Sequence, residues 1–194
     1  DIEVEGTLAN AGSITSQTRL DLTAKDIESS GKLKAIKQVN LTAQRDIINQ
    51  GGSIDGGAVN ISAGRDFINE TKVEVIEFDN GKGFNSKHSL VGDTATIKAN
   101  SLSIFAGNDI KLIGSDLQVE DDVVMQAVND IEITTAKIIN EAINGNYHSV
   151  SSAEHKVTEI GAGSVLMLAG NNFKSEGANI QSEGDITIDA KDIQ

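Results

Sequence analysis

The chain has no cysteine, no proline and no tryptophan, and only 3% of its 194 residues are aromatic, five Phe and one Tyr. Without cysteine there is neither a disulfide framework nor a thiolate metal site. Without proline, every backbone N–H beyond the terminus is free to donate, which suits a sheet-rich chain. With so few rings, the interior must be filled by Ile, Leu, Val and Ala. No apolar run approaches the ~20 residues of a membrane-spanning helix. Positive charge is the scarce sign: 16 Lys and Arg against 29 Asp and Glu leave −13. Such a surface repels phosphate backbones, which argues against nucleic acid as a partner, and it suits an anionic membrane only through a bridging cation.

What is abundant is repetition. Apolar and polar residues alternate up to an alanine in "RLDLTAKDI", "VNLTAQRDI", "VNISAGRDF", "LSIFAGNDI", "VVMQAVNDI", "VLMLAGNNF" and "ITIDAKDI". The anchors are Ala24, Ala43, Ala63, Ala106, Ala127, Ala169 and Ala190, at intervals of 19, 20, 43, 21, 42 and 21 residues. The short intervals define a period near 20, and the long ones are about twice that. A fixed period of this size marks a solenoid. Within a unit the period is two, a strand with one face buried. A second apolar pair follows, such as Ile27 and Leu33, across turn-forming Gly, Asn and Ser. "TLANAGSI" repeats "DIESSGKL" and adds a coil ahead of Ala24.

These features predict an all-β chain, a right-handed parallel β-helix of about eight coils with two excursions from it. Handedness rests on the lack of the hexapeptide repeat usual in left-handed forms. Coils spaced ~4.8 Å apart give a rod roughly 35–40 Å long. The anchor alanine ends a strand where the chain turns a corner and a larger side chain would overpack the stack. The residues that follow it, Asp26, Asp46, Asp66, Asp109, Asp130, Asn172 and Asp192, are expected in a column. Each is expected to accept a bond from its own downstream backbone as an Asx-turn, with Lys25, Arg45 and Arg65 offsetting the like charges. A calcium ladder is the functional alternative for the column.

The array breaks at residues 70–93 and 136–160. The first break holds "DNGKG" between strand-like runs and reads as a hairpin. The second holds Asn144-Gly145 and also reads as a hairpin. Its later part admits a short helix instead, from the "SSAE" capping box and the spacing of Val150, Ala153, Val157 and Ile160. Two hairpins leaving after the same strand, two coils apart, would lie about 10 Å from each other and could join into a small side sheet. Excursions from a solenoid often carry its binding surface. The candidate partner-binding residues are therefore Phe78, Phe84, His88, Tyr147, His148 and His155. The three histidines lack the i+3 or i+4 spacing of a helical metal site. Neither a metal nor a cofactor is expected, and no residues read as catalytic. "GAGSV" at 161–165 is a turn without a helix behind it, and Asp121-Asp122, the acids a polysaccharide-cutting β-helix would need, read as a solvated turn.

"SLSIFAGNDIKLIGSDL", "VVMQAVNDIEI", "VLMLAGNNF" and "GDITIDAKDI" resemble the haemagglutinin repeats of filamentous-haemagglutinin-type exoproteins, among them the effectors of contact-dependent growth inhibition. The resemblance covers nearly the whole chain. It implies a right-handed β-helical filament, secreted to the outer surface of a Gram-negative bacterium by an outer-membrane two-partner secretion transporter. It implies a role in toxin delivery to neighbouring cells or in adhesion to a host cell-surface component. Asp1 opens directly in repeat-like sequence, so the expectation is a non-enzymatic segment of a longer protein. Such a segment would be monomeric or associated end to end.

Overall fold

The computed structural model describes residues 1–144 and 147–194, and for 144 and 147–150 only the backbone. Every described element is a strand. Nineteen strands form one continuous parallel sheet that winds through three faces, and four more form a separate antiparallel sheet. The architecture is a parallel β-helix with seven complete coils and the opening of an eighth.

The alternation read from sequence sets each face. On the first, Ala24, Ala43, Ala63, Ala106, Ala127 and Ala169 stand directly over one another. All six are buried, so the anchors line one internal edge of the stack. On the second face Leu8, Ile27, Ile47, Phe67, Ile110, Ile131, Phe173 and Ile193 are in register. On the third the file is Ile14, Leu33, Ile54, Ile97, Leu117, Ile160 and Ile180. Each fully buried aliphatic in these files contributes about 1.5–3 kcal/mol. The cost of ordering the chain offsets most of that.

The corner between the second and third faces decides where the rod is interrupted. Gly51, Thr71, Gly114 and Thr135 are equivalent, each following the last residue of a second-face strand. Gly51 and Gly114 turn the corner with φ of 72° and 57°, a region L side chains rarely adopt. At Thr71 and Thr135 there is no such turn, and the chain runs outward instead. It forms one hairpin from strands Val73–Asp79 and Phe84–Val91. A second comes from Ala136–Asn144 and Tyr147–Lys156. Polar groups exposed by the exits are bonded. Thr71 Oγ1 donates to the Gly114 carbonyl of the next coil, and Thr158 Oγ1, across the mouth of the second excursion, to the Thr134 carbonyl at 2.6 Å.

The second excursion is a hairpin through Lys156, so the short-helix alternative does not hold. Asn144-Gly145, the expected turn, reaches beyond the described residues. The chain rejoins the rod at Thr158–Ala162, inside the expected limit of residue 160. Ile160 is buried in the third-face file, where Thr158, Ile160 and Ala162 alternate inward with period two.

Candidate interaction surface

Two features of the sequence reading carry polar chemistry: the acidic column and the excursions. In the column, the acceptors do not close turns on their own backbone. Each carboxylate takes the backbone N–H of its counterpart one coil on. Asp46 N–H donates to Asp26 Oδ1 at 3.4 Å, Asp66 to Asp46 at 3.3 Å, Asp109 to Asp66 at 3.2 Å and Asp130 to Asp109 at 3.2 Å. Asn172 N–H completes the series on Asp130 at 2.9 Å. Parallel stacking brings a neighbouring coil's donor within reach, so the turn-forming side chain bonds between coils.

The preceding residue adds a second bond to the same acceptor. Arg45 Nε and Nη2 meet Asp26 at 3.0 and 2.6 Å. Arg65 grips Asp46 in the same bidentate way. Further along, Asn108, Asn129 and Asn171 take over the role on Asp66, Asp109 and Asp130, at 2.7, 3.0 and 3.2 Å. In five successive repeats, Arg45-Asp46, Arg65-Asp66, Asn108-Asp109, Asn129-Asp130 and Asn171-Asn172, the pair is therefore a two-donor clamp on the coil before it. The arginine bonds hold the Asp26 and Asp46 carboxyls below the ordinary 3.8, opposed in part by desolvation. The two arginines thus offset the like charges of the column, each on the aspartate of the coil before, with Arg65 Nε also 3.7 Å from its own neighbour Asp66. Among the described residues no group of three or more His, Asp or Glu is placed to hold a metal ion.

The excursions leave two coils apart and do join. Their strands form one antiparallel sheet in the order Tyr147–Lys156, Ala136–Asn144, Phe84–Val91, Val73–Asp79. The joint between hairpins runs from Phe84↔Asn144 to His88↔Asn140. Beyond it, the buried Ser89 hydroxyl accepts the Ile139 N–H at 2.9 Å. Across the sheet, Glu77, Lys87 and Glu141 stand side by side. Lys87 Nζ lies 2.7 Å from Glu77, which raises its pKa. The side sheet's strands pack chiefly against one another rather than on the rod.

Cross-strand register places the candidate residues. Phe78 lies opposite Ser86, and Phe84 and His88 alternate with it onto the same face. The two Phe rings are 6.1 Å apart and tilted by 56°, a favourable aromatic pair at the hairpin tip. His155 lies opposite Lys137, on the other face, with Nδ1 2.8 Å from Thr135 Oγ1. The structure thus gathers Phe78, Phe84 and His88 and sets His155 apart. The side chains of Tyr147 and His148 fall outside the described residues. The sequence reading missed the free outer edge of Val73–Asp79, which carries Val75, Ile76 and Phe78 at 46, 47 and 55% exposure. Its signal was the apolar content of "VEVIEF" at a break, but only the sheet order shows which strand is outermost.

A stack of near-identical coils with a sheet carried on its flank is a repeat filament of the parallel β-solenoid class. Residues 76–158 match the hemagglutinin repeat family. The match opens within the first hairpin and closes just past the second, and so spans most of the side sheet and the coils between the excursions. The chain is 27% identical over 192 residues to the tRNA nuclease CdiA of Escherichia coli (strain STEC_O31), covering 95% of this chain and 6% of that protein. It is 31% identical over 142 residues to the tRNA nuclease CdiA of Yersinia mollaretii, covering 66% of this chain and 5% of that protein. No solved structure matches it. The chain carries a haemagglutinin-repeat region of the CdiA-like type, found in secreted, cell-surface exoproteins of Gram-negative bacteria. It spans about one-twentieth of the length of these relatives.

Proposed function

We propose that the chain is a stiff, non-enzymatic length of the stalk of a contact-dependent growth-inhibition protein, a spacer that holds a delivered domain away from the cell. The observation that carries this reading is the unbroken file of stacked aliphatics and alanines through seven coils. Nearest-neighbour stacking of this kind lets a chain emerging unfolded from an outer-membrane transporter fold coil by coil. The nuclease activity in the relatives' names is not assigned to this segment.

A second reading is favoured by the side sheet. It stands off the rod with apolar side chains exposed on both faces, which a mere spacer does not need. In this reading Phe78, Phe84 and His88 form a contact surface for a target or host cell-surface component, with Tyr147 and His148 as the second hairpin's candidates for it and His155 outside it, on the opposite face. One experiment separates the two. Each excursion is replaced, in the full-length exoprotein, by the glycine corner of a plain coil. Inhibition of neighbouring cells at full strength is the result expected for a spacer. Loss of inhibition with normal secretion favours the contact surface.

A further inference from the structure

We propose that the free edge of strand Val73–Asp79 receives an extended basic segment of a partner protein as a fifth strand of the side sheet. The proposal rests on the contact-surface reading and gives it a ligand chemistry. One side of this strand is satisfied by seven consecutive pairs with Phe84–Val91, from Asp79↔Asn85 to Val73↔Val91, without a register shift. On the other side no strand lies among the described residues. Alternate residues of a strand point both backbone groups to the same side, so about three or four residues present unpaired N–H and C=O groups to solvent.

Natural sheets blunt such edges with proline, bulges, charged side chains (lysine above all) or short strands. Of these, this edge has only its acidic residues, Glu74, Glu77 and Asp79. The chain has no proline, the pairing has no bulge, and the strand "VEVIEFD" has no basic residue. The positive-φ glycines, Gly81 and Gly83, lie in the turn beyond it. The sheet's other outer strand, Tyr147–Lys156, also has one neighbour only among the described residues, but where its side chains are described it is mostly polar: Ser151, Ser152, Ala153, Glu154, His155 and Lys156. Of the two edges the Val73–Asp79 one is the more apolar, with Ile76 and Phe78 on one face and Val73 and Val75 on the other.

Charge selects the occupant. Glu77 is already paired with Lys87 on the inner side. Glu74 lies opposite Leu90 and Asp79 opposite Asn85, so neither faces a cation across the strand pair. An added strand that alternates Val, Ile or Leu with Lys or Arg would supply backbone bonds, lay its apolar residues beside Ile76 and Phe78 on one face and set its basic residues beside Glu77 and Asp79 on the other. A second copy of this chain would bring the same acidic strand and the same −13, so the edge selects against it.

The probe is a fluorescent heptapeptide alternating Lys and Val, with a Glu and Val heptapeptide as counterpart, titrated against the chain and read by anisotropy and by hydrogen exchange of residues 73–79. Expected are saturable binding of the Lys peptide, at least about tenfold tighter than the Glu peptide, and slowed exchange in 73–79. Preference should reverse in Glu74→Lys/Asp79→Lys, whose fold is checked by circular dichroism. Equal binding of both peptides, no binding, or the same preference in the charge-reversed variant overturns the proposal. So does self-association that the same variant abolishes, which would make a second copy the occupant. If Phe78→Ala/Phe84→Ala ends cell contact while Glu74→Lys/Asp79→Lys leaves it intact, the contact surface stands and the edge proposal falls.

Discussion

Arg45 reaches back nineteen residues to hold both carboxylate oxygens of Asp26, and Asp46 beside it donates its own N–H to the same carboxylate. Two neighbours in sequence thus clamp one residue of the preceding coil. The pattern recurs along the rod with asparagine in place of arginine, and it explains why the repeats carry a two-residue signature after the alanine.

The clamp makes the rod sensitive to acid. Asp26 and Asp46 have folded-state pKa values below their ordinary 3.8, chiefly from the hydrogen bonds of Arg45 and Arg65. Carboxyls depressed on folding contribute stability that is complete above the unfolded value and lost as pH falls through the folded one. The thermal midpoint should be flat from neutral pH to about pH 5 and decline below about pH 4. Circular dichroism melts across that range test this, with Arg45→Met/Arg65→Met showing a shallower decline.

Removing an acceptor should cost more than removing its charge. Asp130→Ala leaves the Asn172 N–H and the Asn171 amide without partners, and a loss of about 1–3 kcal/mol is expected in denaturant unfolding. Asp130→Asn keeps Oδ1 and should lose less. Asn172 already occupies the equivalent place in the next coil.

The corner glycine should resist substitution. At Gly114 φ is 57°, and an added Cβ would lie 2.6 Å from that of Ala136. Gly114→Val is expected to cost about 1–3 kcal/mol. Gly81 has an equally positive φ but open space around it. Its replacement by Asn, which tolerates that conformation, should be close to neutral.

Size at the anchor is a third constraint. Ala106 is fully buried between Ala63 and Ala127. Ala106→Leu should cost about 1–3 kcal/mol by overpacking. The adjacent Phe105, which points outward, should accept leucine within about 0.5 kcal/mol. Unfolding midpoints of the two variants make the comparison.

The rod was legible because its rule is one-dimensional: Leu22, Leu41 and Ile61 announce their shared file by period alone. The joining of the hairpins was legible too, since their spacing followed from the coil count. The corners were not. Whether residue 71 turns or runs outward depends on the sign of φ, and the alternation of neighbouring residues carries no trace of it. The cross-coil clamp escaped for a related reason. A local turn and an interlayer bond ask for the same Asp, and only the stacking distance chooses between them. In the side sheet, Phe78, Phe84 and His88 share a face by simple alternation along adjacent strands. His155 falls on the other face by register, which no single strand encodes.

The clamp also gives the rod a direction. Every donor pair looks toward the amino-terminal end, and every carboxylate waits for the layer after it. A finished layer is therefore a template for the next, while a layer laid down without its predecessor has donors and nothing to grip. Growth by such a rule is vectorial, like courses of brick keyed only from below.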